Sequence, residues 1–273
     1  MYFIIGSEGF LGKKIQSILP NNKTINISSK KRKNCIKTNL FLTNKKKNEK
    51  WIKKIKKNDT VILLSNPGSL NYSEQFPKRL LQFEKNLDRK FFSKVNKNIK
   101  IIFFSSDMIY GDKKNTCSDQ TNTKPINNYG RSKKRIENKI KKYFKKYLIL
   151  RFSKIFSIYS VDNTIYYDMV NQIKKKKYIK LFNDQYVHYL DSRDFILGFK
   201  KIIRKLNQLN GTFNFPGKNF TTRYKFAKKI CKKHKLNNKY IIPIKVEDKK
   251  IKIPRKIKMR TNLFSKINFF PKY

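Results

Sequence analysis

One heptapeptide narrows the fold of this chain more than any other feature. Gly6-Ser7-Glu8-Gly9-Phe10-Leu11-Gly12 follows directly on the apolar run Tyr2-Phe3-Ile4-Ile5. After it, Phe10, Leu11, Ile15, Ile18 and Leu19 recur near helical spacing until Pro20 stops the pattern. A buried strand, a glycine turn and an amphipathic helix therefore stand in sequence. Gly6 permits the tight turn, Gly9 keeps a Cβ out of the way of an approaching pyrophosphate, and Gly12 lets the helix pack close to the sheet. The free N–H groups and positive dipole end of that helix suit phosphate. A glycine turn with no ligand is the competing reading, and its place between strand and helix argues against it.

The rest of the first half repeats the alternation. Strands are predicted at Thr24 to Ser28, Cys35 to Leu40, Thr60 to Leu64, Ile99 to Ser105 and Tyr147 to Phe152. Between them, Trp51, Ile52 and Ile55 mark an apolar helix face. Longer helices are expected over about Glu74 to Lys94 and over Asn128 to Lys145. Strands alternating with helices imply an α/β fold, a Rossmann-like parallel sheet with helices on both faces. Beyond Phe152 the pattern loosens. Helices are predicted at Thr164 to Lys174, Asp191 to Leu206 and Thr221 to Lys233, with a strand at Gly211 to Phe215. Ile241 to Tyr273 has little periodicity and is expected to include extended segments. The expected division is a nucleotide-binding domain over 1–160 and a small C-terminal substrate lobe over 161–273. Segments at about 187–215 are expected to return to the first domain.

The dinucleotide is chosen at the end of the second strand, where an acid would accept the ribose hydroxyls of NAD. Here the string is Ile27-Ser28-Ser29-Lys30-Lys31-Arg32, without an acid. Hydroxyls and cations suit a 2′-phosphate, so NADP(H) is favoured and NAD(H) remains possible. Arg32 is the telling residue, because lysine is everywhere in this chain and arginine is scarce. Ser28, and Ser65 just past the fourth strand, join Gly6, Gly9, Phe10, Leu11 and Gly12 as candidate cofactor contacts.

A second string, Tyr129-Gly130-Arg131-Ser132-Lys133, lies downstream of Phe103-Phe104-Ser105-Ser106-Asp107. Tyr129 and Lys133 are four residues apart and share a helix face. A free tyrosine ionises at about 10, too high for efficient proton transfer near neutrality. A nearby ammonium, together with the positive nicotinamide of an oxidised complex, is expected to lower that value, and Lys133 can also hydrogen-bond the nicotinamide ribose. Ser106, at the carboxyl end of the fifth strand, would hold a substrate oxygen beside the phenol, with Ser105 as its neighbour. A surface tyrosine on a lysine-rich helix is the plain alternative. The serine pair and the upstream glycine loop count against it.

With both strings in order, the chain resembles an extended short-chain dehydrogenase/reductase. It is most similar to the dTDP-4-dehydrorhamnose reductase-like group of sugar-nucleotide reductases and epimerases. The likeness runs through the glycine loop, Phe104 to Gly111, Pro125 to Lys133 and Leu148 to Ser153. It implies an NAD(P)-dependent oxidoreductase that reduces a keto group on a nucleotide-activated deoxysugar, with Ser106, Tyr129 and Lys133 as the triad. It also implies that Ser153-Lys154-Ile155 flanks the nicotinamide, so Ser153 and Ile155 join the cofactor candidates. Phe182 to Gln185 and Asp191 to Asp194 resemble the family's passage into its substrate lobe. Relatives that remove water carry an acid pair after the active hydroxyl. Here Met108 follows Asp107, which disfavours a dehydratase. Asp107 is expected to touch substrate or to cap the loop. Arg255, and with it Arg260, is a candidate for a substrate diphosphate. A sugar-nucleotide epimerase and a non-catalytic nucleotide-binding regulator on the same fold are the alternatives.

Composition sets the remaining bounds. The 273 residues carry 67 Lys and Arg against 17 Asp and Glu, a formal charge of +50. The lysines fall on nearly every predicted helix, and Asn, Ile, Phe and Tyr are abundant too, as AT-rich coding would produce. No specific nucleic-acid partner is therefore inferred. No run reaches membrane-spanning length, and Cys35, Cys117 and Cys231 are isolated, so a cytoplasmic protein with reduced thiols is expected. With only His188 and His234, no metal site is expected. A homodimer is possible. Tyr166, Tyr167, Tyr178 and Tyr186 are open to base stacking or to packing.

Overall fold

In a computed structural model, residues 1–29, 35–38, 50–65, 68–159, 164–248 and 250–273 are described. Arg32, Lys30 and Lys31 lie outside them, as does the loop 39–43. The chain divides into two units. The first comprises Met1–Ile109, Asn128–Arg151 and Lys205–Phe213, and the second Tyr110–Asn127, Phe152–Arg204 and Asn214–Tyr273. Of the return expected at about 187–215, Lys205–Phe213 belongs to the first unit.

The first unit is built on a seven-stranded sheet. Its strands are β1 (Tyr2–Ile5), β2 (Thr24–Ser28), β3 (Cys35–Lys37), β4 (Thr60–Leu63), β5 (Lys100–Ser106), β6 (Lys146–Phe152) and β10 (Gly211–Phe215). The spatial order is β10-β6-β5-β4-β1-β2-β3. β1 runs parallel to both β2 and β4, with Phe3 opposite Ile25 on one side and Val61 on the other. β3 and β5 continue the parallel pairing outward. β4 and β5 are buried along their whole length. Both faces of such a sheet are covered, which is why these strands read as unbroken apolar runs rather than alternating ones. The order reverses between β1 and β4, so the loops after these two strands splay apart at a topological switch point.

Helices α1 (Phe10–Gln16), α2 (Leu70–Gln75), α3 (Pro77–Leu87) and α4 (Asn128–Tyr143) follow the strands. The helix expected through Leu19 stops at Gln16. The stretch expected as one helix from about Glu74 is two. Pro77 opens α3 as its first residue, and Phe76 before it leaves helical geometry at φ −126°. The cause is proline itself, which has no N–H and pushes its predecessor out of the helical region. The apolar face at Trp51, Ile52 and Ile55 is a single 3-10 turn, Ile52–Lys54. All three side chains still enter the core beside Phe83, Phe91 and Phe92.

In the second unit, β7 (Lys154–Phe156), β9 (Tyr186–Asp191) and β11 (Asn219–Thr222) form a small sheet, and β8 (Ile179–Phe182) pairs with β12 (Ile241–Ile244). Of these, β7, β8, β9 and β11 are additions to the predicted strands. Helices α5 (Ile165–Lys174), α6 (Ser192–Arg204), α7 (Arg223–Lys233) and α8 (Leu263–Lys266) complete the unit. Its core is aromatic, with Tyr189 stacked on Phe226 at 4.0 Å. His188 is a buried crosslink. Its Nδ1 meets the Gly217 carbonyl at 2.7 Å, and its Nε2 accepts the Met259 N–H at 3.1 Å. Burial holds its pKa below the ordinary value, so it sits neutral. Among the described residues, no helix is long and apolar enough to cross a membrane.

Candidate active site

The glycine loop turns at the switch point. Gly6 has φ +95°, a conformation other residues rarely adopt, and a Cβ there would come within 3.1 Å of the Ser65 backbone nitrogen. Gly6 and Ser65, from the loops after β1 and β4, are thus neighbours, as two contacts to one ligand would need to be. At Gly12 a Cβ would meet the Ser7 carbonyl oxygen at 2.4 Å, so α1 and the turn touch backbone to backbone.

Gly9 differs from both. Its φ is −74°, and a Cβ would find only the Gly6 oxygen at 3.4 Å, ordinary contact. Among the described residues, nothing in the packing calls for glycine at this exposed position. A ligand backbone pressed against it would, and this is the cradle a dinucleotide pyrophosphate fits. Phe10 and Leu11 are half-buried at the start of α1, where no side chain caps the helix. Ser28 is buried at the end of β2, its carbonyl accepting the Thr38 N–H at 2.8 Å.

Ser106 ends β5, and Tyr129 and Lys133 lie on the first turns of α4. Glu74 of α2 fixes where that helix begins. Its carboxylate accepts the Asn128 backbone N–H at 2.6 Å and the Asn128 side-chain amide at 3.0 Å. An acid there also suits the positive end of the α4 dipole. Ser106 Oγ donates to Asp107 Oδ1 at 3.0 Å and accepts the Met108 N–H at 3.3 Å. Asp107 is buried at the start of the 3-10 turn after β5.

Lys133 is buried. Its Nζ donates to the Phe104 carbonyl at 2.9 Å and lies 5.7 Å from the centre of the Tyr129 ring. Burial pushes the Lys133 ammonium down to about 8, with the Glu137 carboxylate pulling the other way. Tyr129 is pushed up to about 12, first by burial and then by the negative charge of Asp107, while a hydrogen bond with Ser106 acts in the opposite sense. The lowered phenol expected from the sequence is therefore corrected. The ammonium is turned toward the Phe104 carbonyl, and burial of the phenol wins. Tyr129 rests as a neutral phenol, a proton donor rather than a phenolate.

Ser105 is the second correction. It was expected beside the substrate, but its hydroxyl donates to Glu137 Oε1 at 2.5 Å in the buried interior behind α4. Successive residues of a strand point to opposite faces, so only Ser106 of the pair faces the phenol. Glu74, Glu137 and Arg151 carry no recognisable motif and were missed. Only Glu137, at four residues beyond Lys133, offered a spacing signal.

The remaining candidates belong to the second unit. Ser153 Oγ accepts the Gly217 N–H at 3.2 Å, and Ile155 lies on β7. Arg255 is exposed and pairs with exposed Glu247 at 2.6 Å. Of the tyrosines, Tyr166 packs against Phe156 and His234, Tyr186 against Phe220, and exposed Tyr178 against Tyr240. Tyr167 is half-buried on α5.

The family model described as the RmlD substrate binding domain matches residues 1–271. The chain belongs to that family. Solved structures agree on the fold. A dTDP-4-dehydrorhamnose reductase from Bacillus anthracis str. Ames, in complex with NADP, superposes with a TM-score of 0.78 at 20% identity, covering 99% of this chain and 93% of that one. A dTDP-4-dehydrorhamnose reductase from Clostridium acetobutylicum gives 0.77 at 23% identity, covering 98% and 92%. The dTDP-glucose 4,6-dehydratase DesIV from Streptomyces venezuelae, with NAD and DAU bound, gives 0.79 at 10%, covering 100% and 92%. A comparison with curated protein sequences finds no match.

Proposed function

We propose that this chain is an NAD(P)H-dependent reductase of a keto group on a nucleotide-activated deoxysugar, with NADP(H) as the favoured cofactor. The observation that carries the reading is the placement of Ser106 at the end of β5 with Tyr129 and Lys133 on the first turns of α4, the Lys133 Nζ 5.7 Å from the centre of the Tyr129 ring. Reduction of a carbonyl needs a proton donor at the oxygen, and the half-buried phenol beside Ser106 holds one. A bound nicotinamide would supply the hydride to the carbonyl carbon. Ser106 orients the substrate oxygen, Tyr129 gives it a proton, and Lys133 provides the positive charge that eases the phenol's ionisation as the proton leaves. The open face at Gly9, with Gly6, Ser65 and Ser28 around the switch point, would hold the dinucleotide.

Family membership and the likeness to two dTDP-4-dehydrorhamnose reductases support the substrate class. Arg255, Asp107, Ser153 and Ile155 remain candidates for substrate and cofactor contacts. Met108, next to Asp107, has no proton to exchange, which speaks against dehydration. We place the reaction in the cytoplasm, as three free cysteines suit, and expect a homodimer. The test is turnover of NADPH with a dTDP-4-keto-6-deoxysugar. Stoichiometric oxidation of NADPH supports the reading, and isomerisation of the sugar without net oxidation would make the protein an epimerase.

A further inference from the structure

Glu137 extends the line of the triad. Tyr129, Lys133 and Glu137 stand four residues apart on one face of α4. The Glu137 carboxylate is gripped on both oxygens. Arg151 Nε and Ser105 Oγ donate to Oε1 at 3.1 and 2.5 Å, and Arg151 Nη2 donates to Oε2 at 2.8 Å. The side chains of this pair are 5% and 2% exposed. A buried ion pair is a poor device for stability, since apolar residues of the same volume do as well or better. Stability therefore leaves the pair unexplained, whereas its neighbour Lys133 explains it.

The other carboxylates that face α4 are engaged elsewhere. Glu74 of α2 holds Asn128, Glu84 of α3 holds Arg135, Asp88 holds Lys139, and Asp107 after β5 acts on Ser106 and Tyr129. Around Lys133 itself, β5 presents the Phe104 carbonyl and the Phe103 ring, α4 presents Tyr129 and Glu137, and β6 presents Arg151 through Glu137.

We propose that Glu137 and Arg151 are positioning residues for catalysis: the Arg151 fork fixes the Glu137 carboxylate, and that carboxylate holds Lys133 as an ammonium beside Tyr129. Without it, burial alone acts on the amine, and a larger share of Lys133 is neutral near pH 7. The arrangement rests on the reductase reading only for its effect on turnover.

Two measurements separate the two ideas. In protein with isotopically labelled lysine, the Lys133 side chain is titrated by NMR, its resonance assigned with Lys133→Met. In parallel, kcat and KM are followed against pH with NADPH and a dTDP-4-keto-6-deoxysugar. In Glu137→Gln the Lys133 midpoint is expected to fall by about one unit. The alkaline limb of kcat falls with it, and KM for NADPH stays unchanged. Arg151→Lys keeps the charge but loses the fork, and is expected to retain most of the wild-type midpoint. If Glu137→Gln does not fold, the double variant Glu137→Gln, Arg151→Gln leaves no lone buried charge and is titrated instead, again with a lower midpoint expected. An unmoved Lys133 midpoint in a folded variant overturns the proposal. A moved midpoint in a protein whose wild type turns over no sugar nucleotide leaves the positioning role standing and overturns the reductase reading.

Discussion

The two units use their polar side chains differently. In the first, Ser106, Tyr129, Lys133 and the glycine loop come from short strings, and Lys133 and Asn128 are held by groups 29 and 54 residues away. In the second, buried polar side chains hold backbone groups and form no such string. Ser153 holds the Gly217 N–H, His188 bridges Gly217 and Met259, and Asp194 accepts the backbone N–H groups of Lys272 and Tyr273 at 2.9 Å. The contrast suggests that chemistry in this chain is concentrated in the first unit, while the second is held by structural polar contacts around an aromatic core.

The largest expected effect tests the first unit. Tyr129→Phe removes the proton donor and is expected to lower kcat by about 10²–10⁴-fold with NADPH affinity unchanged, read by stopped-flow and by calorimetry. A variant that keeps its turnover would move the acid elsewhere. Next come the glycines. Gly12→Ala drives a Cβ into the Ser7 carbonyl and is expected to cost about 1–3 kcal/mol in urea denaturation. Gly9→Ala meets open space at an ordinary φ and should stay within about 0.5 kcal/mol of wild type. Equal losses at both positions would mean that Gly9 is structural after all.

The pH dependence follows from the same site. Lys133 titrates at about 8 and Tyr129 at about 12, so reductive kcat should decline as pH rises through about 8, while the phenol is still protonated. A limb that appears only near the tyrosine value would separate Lys133 from turnover. The smallest effect belongs to the second unit. Arg255→Ala breaks an exposed ion pair, worth about 0–1 kcal/mol of stability. If Arg255 meets a substrate diphosphate, KM for the sugar nucleotide rises about tenfold with kcat unchanged. An unchanged KM removes Arg255 from the site.

The same contrast explains what the sequence made legible. Tyr2–Ile5, Thr24–Ser28 and Gly211–Phe215 match their predicted bounds, because an apolar run, or an alternation such as Ile25 and Ile27 or Phe213 and Phe215, of strand length between breakers has few alternatives. The helix break at Pro77 was legible in principle, since proline carries its own signal, and was passed over because apolar residues continue across it. Short strands such as β7 and β11 exist only because β9 pairs with both, a contact no local pattern encodes. The Ser106, Tyr129 and Lys133 set was readable from spacing and order. Its environment was not. Glu74 reaches α4 across 54 residues and Arg151 of β6 meets Glu137 of α4. The direction of the Tyr129 shift depended on burial and on Asp107, neither of which is visible before the fold is known.

The central claim is that the open cradle at Gly9 receives a dinucleotide. Calorimetric titration of the protein with NADPH and NADH, beside a Gly9→Asp variant, tests it most directly. The variant adds a carboxylate where a pyrophosphate would lie, and the open surroundings of Gly9 let it fold. The account predicts micromolar or tighter NADPH binding, weaker NADH binding, and loss of both in the variant. No binding of either nucleotide at moderate salt, or binding untouched by Gly9→Asp, would contradict it.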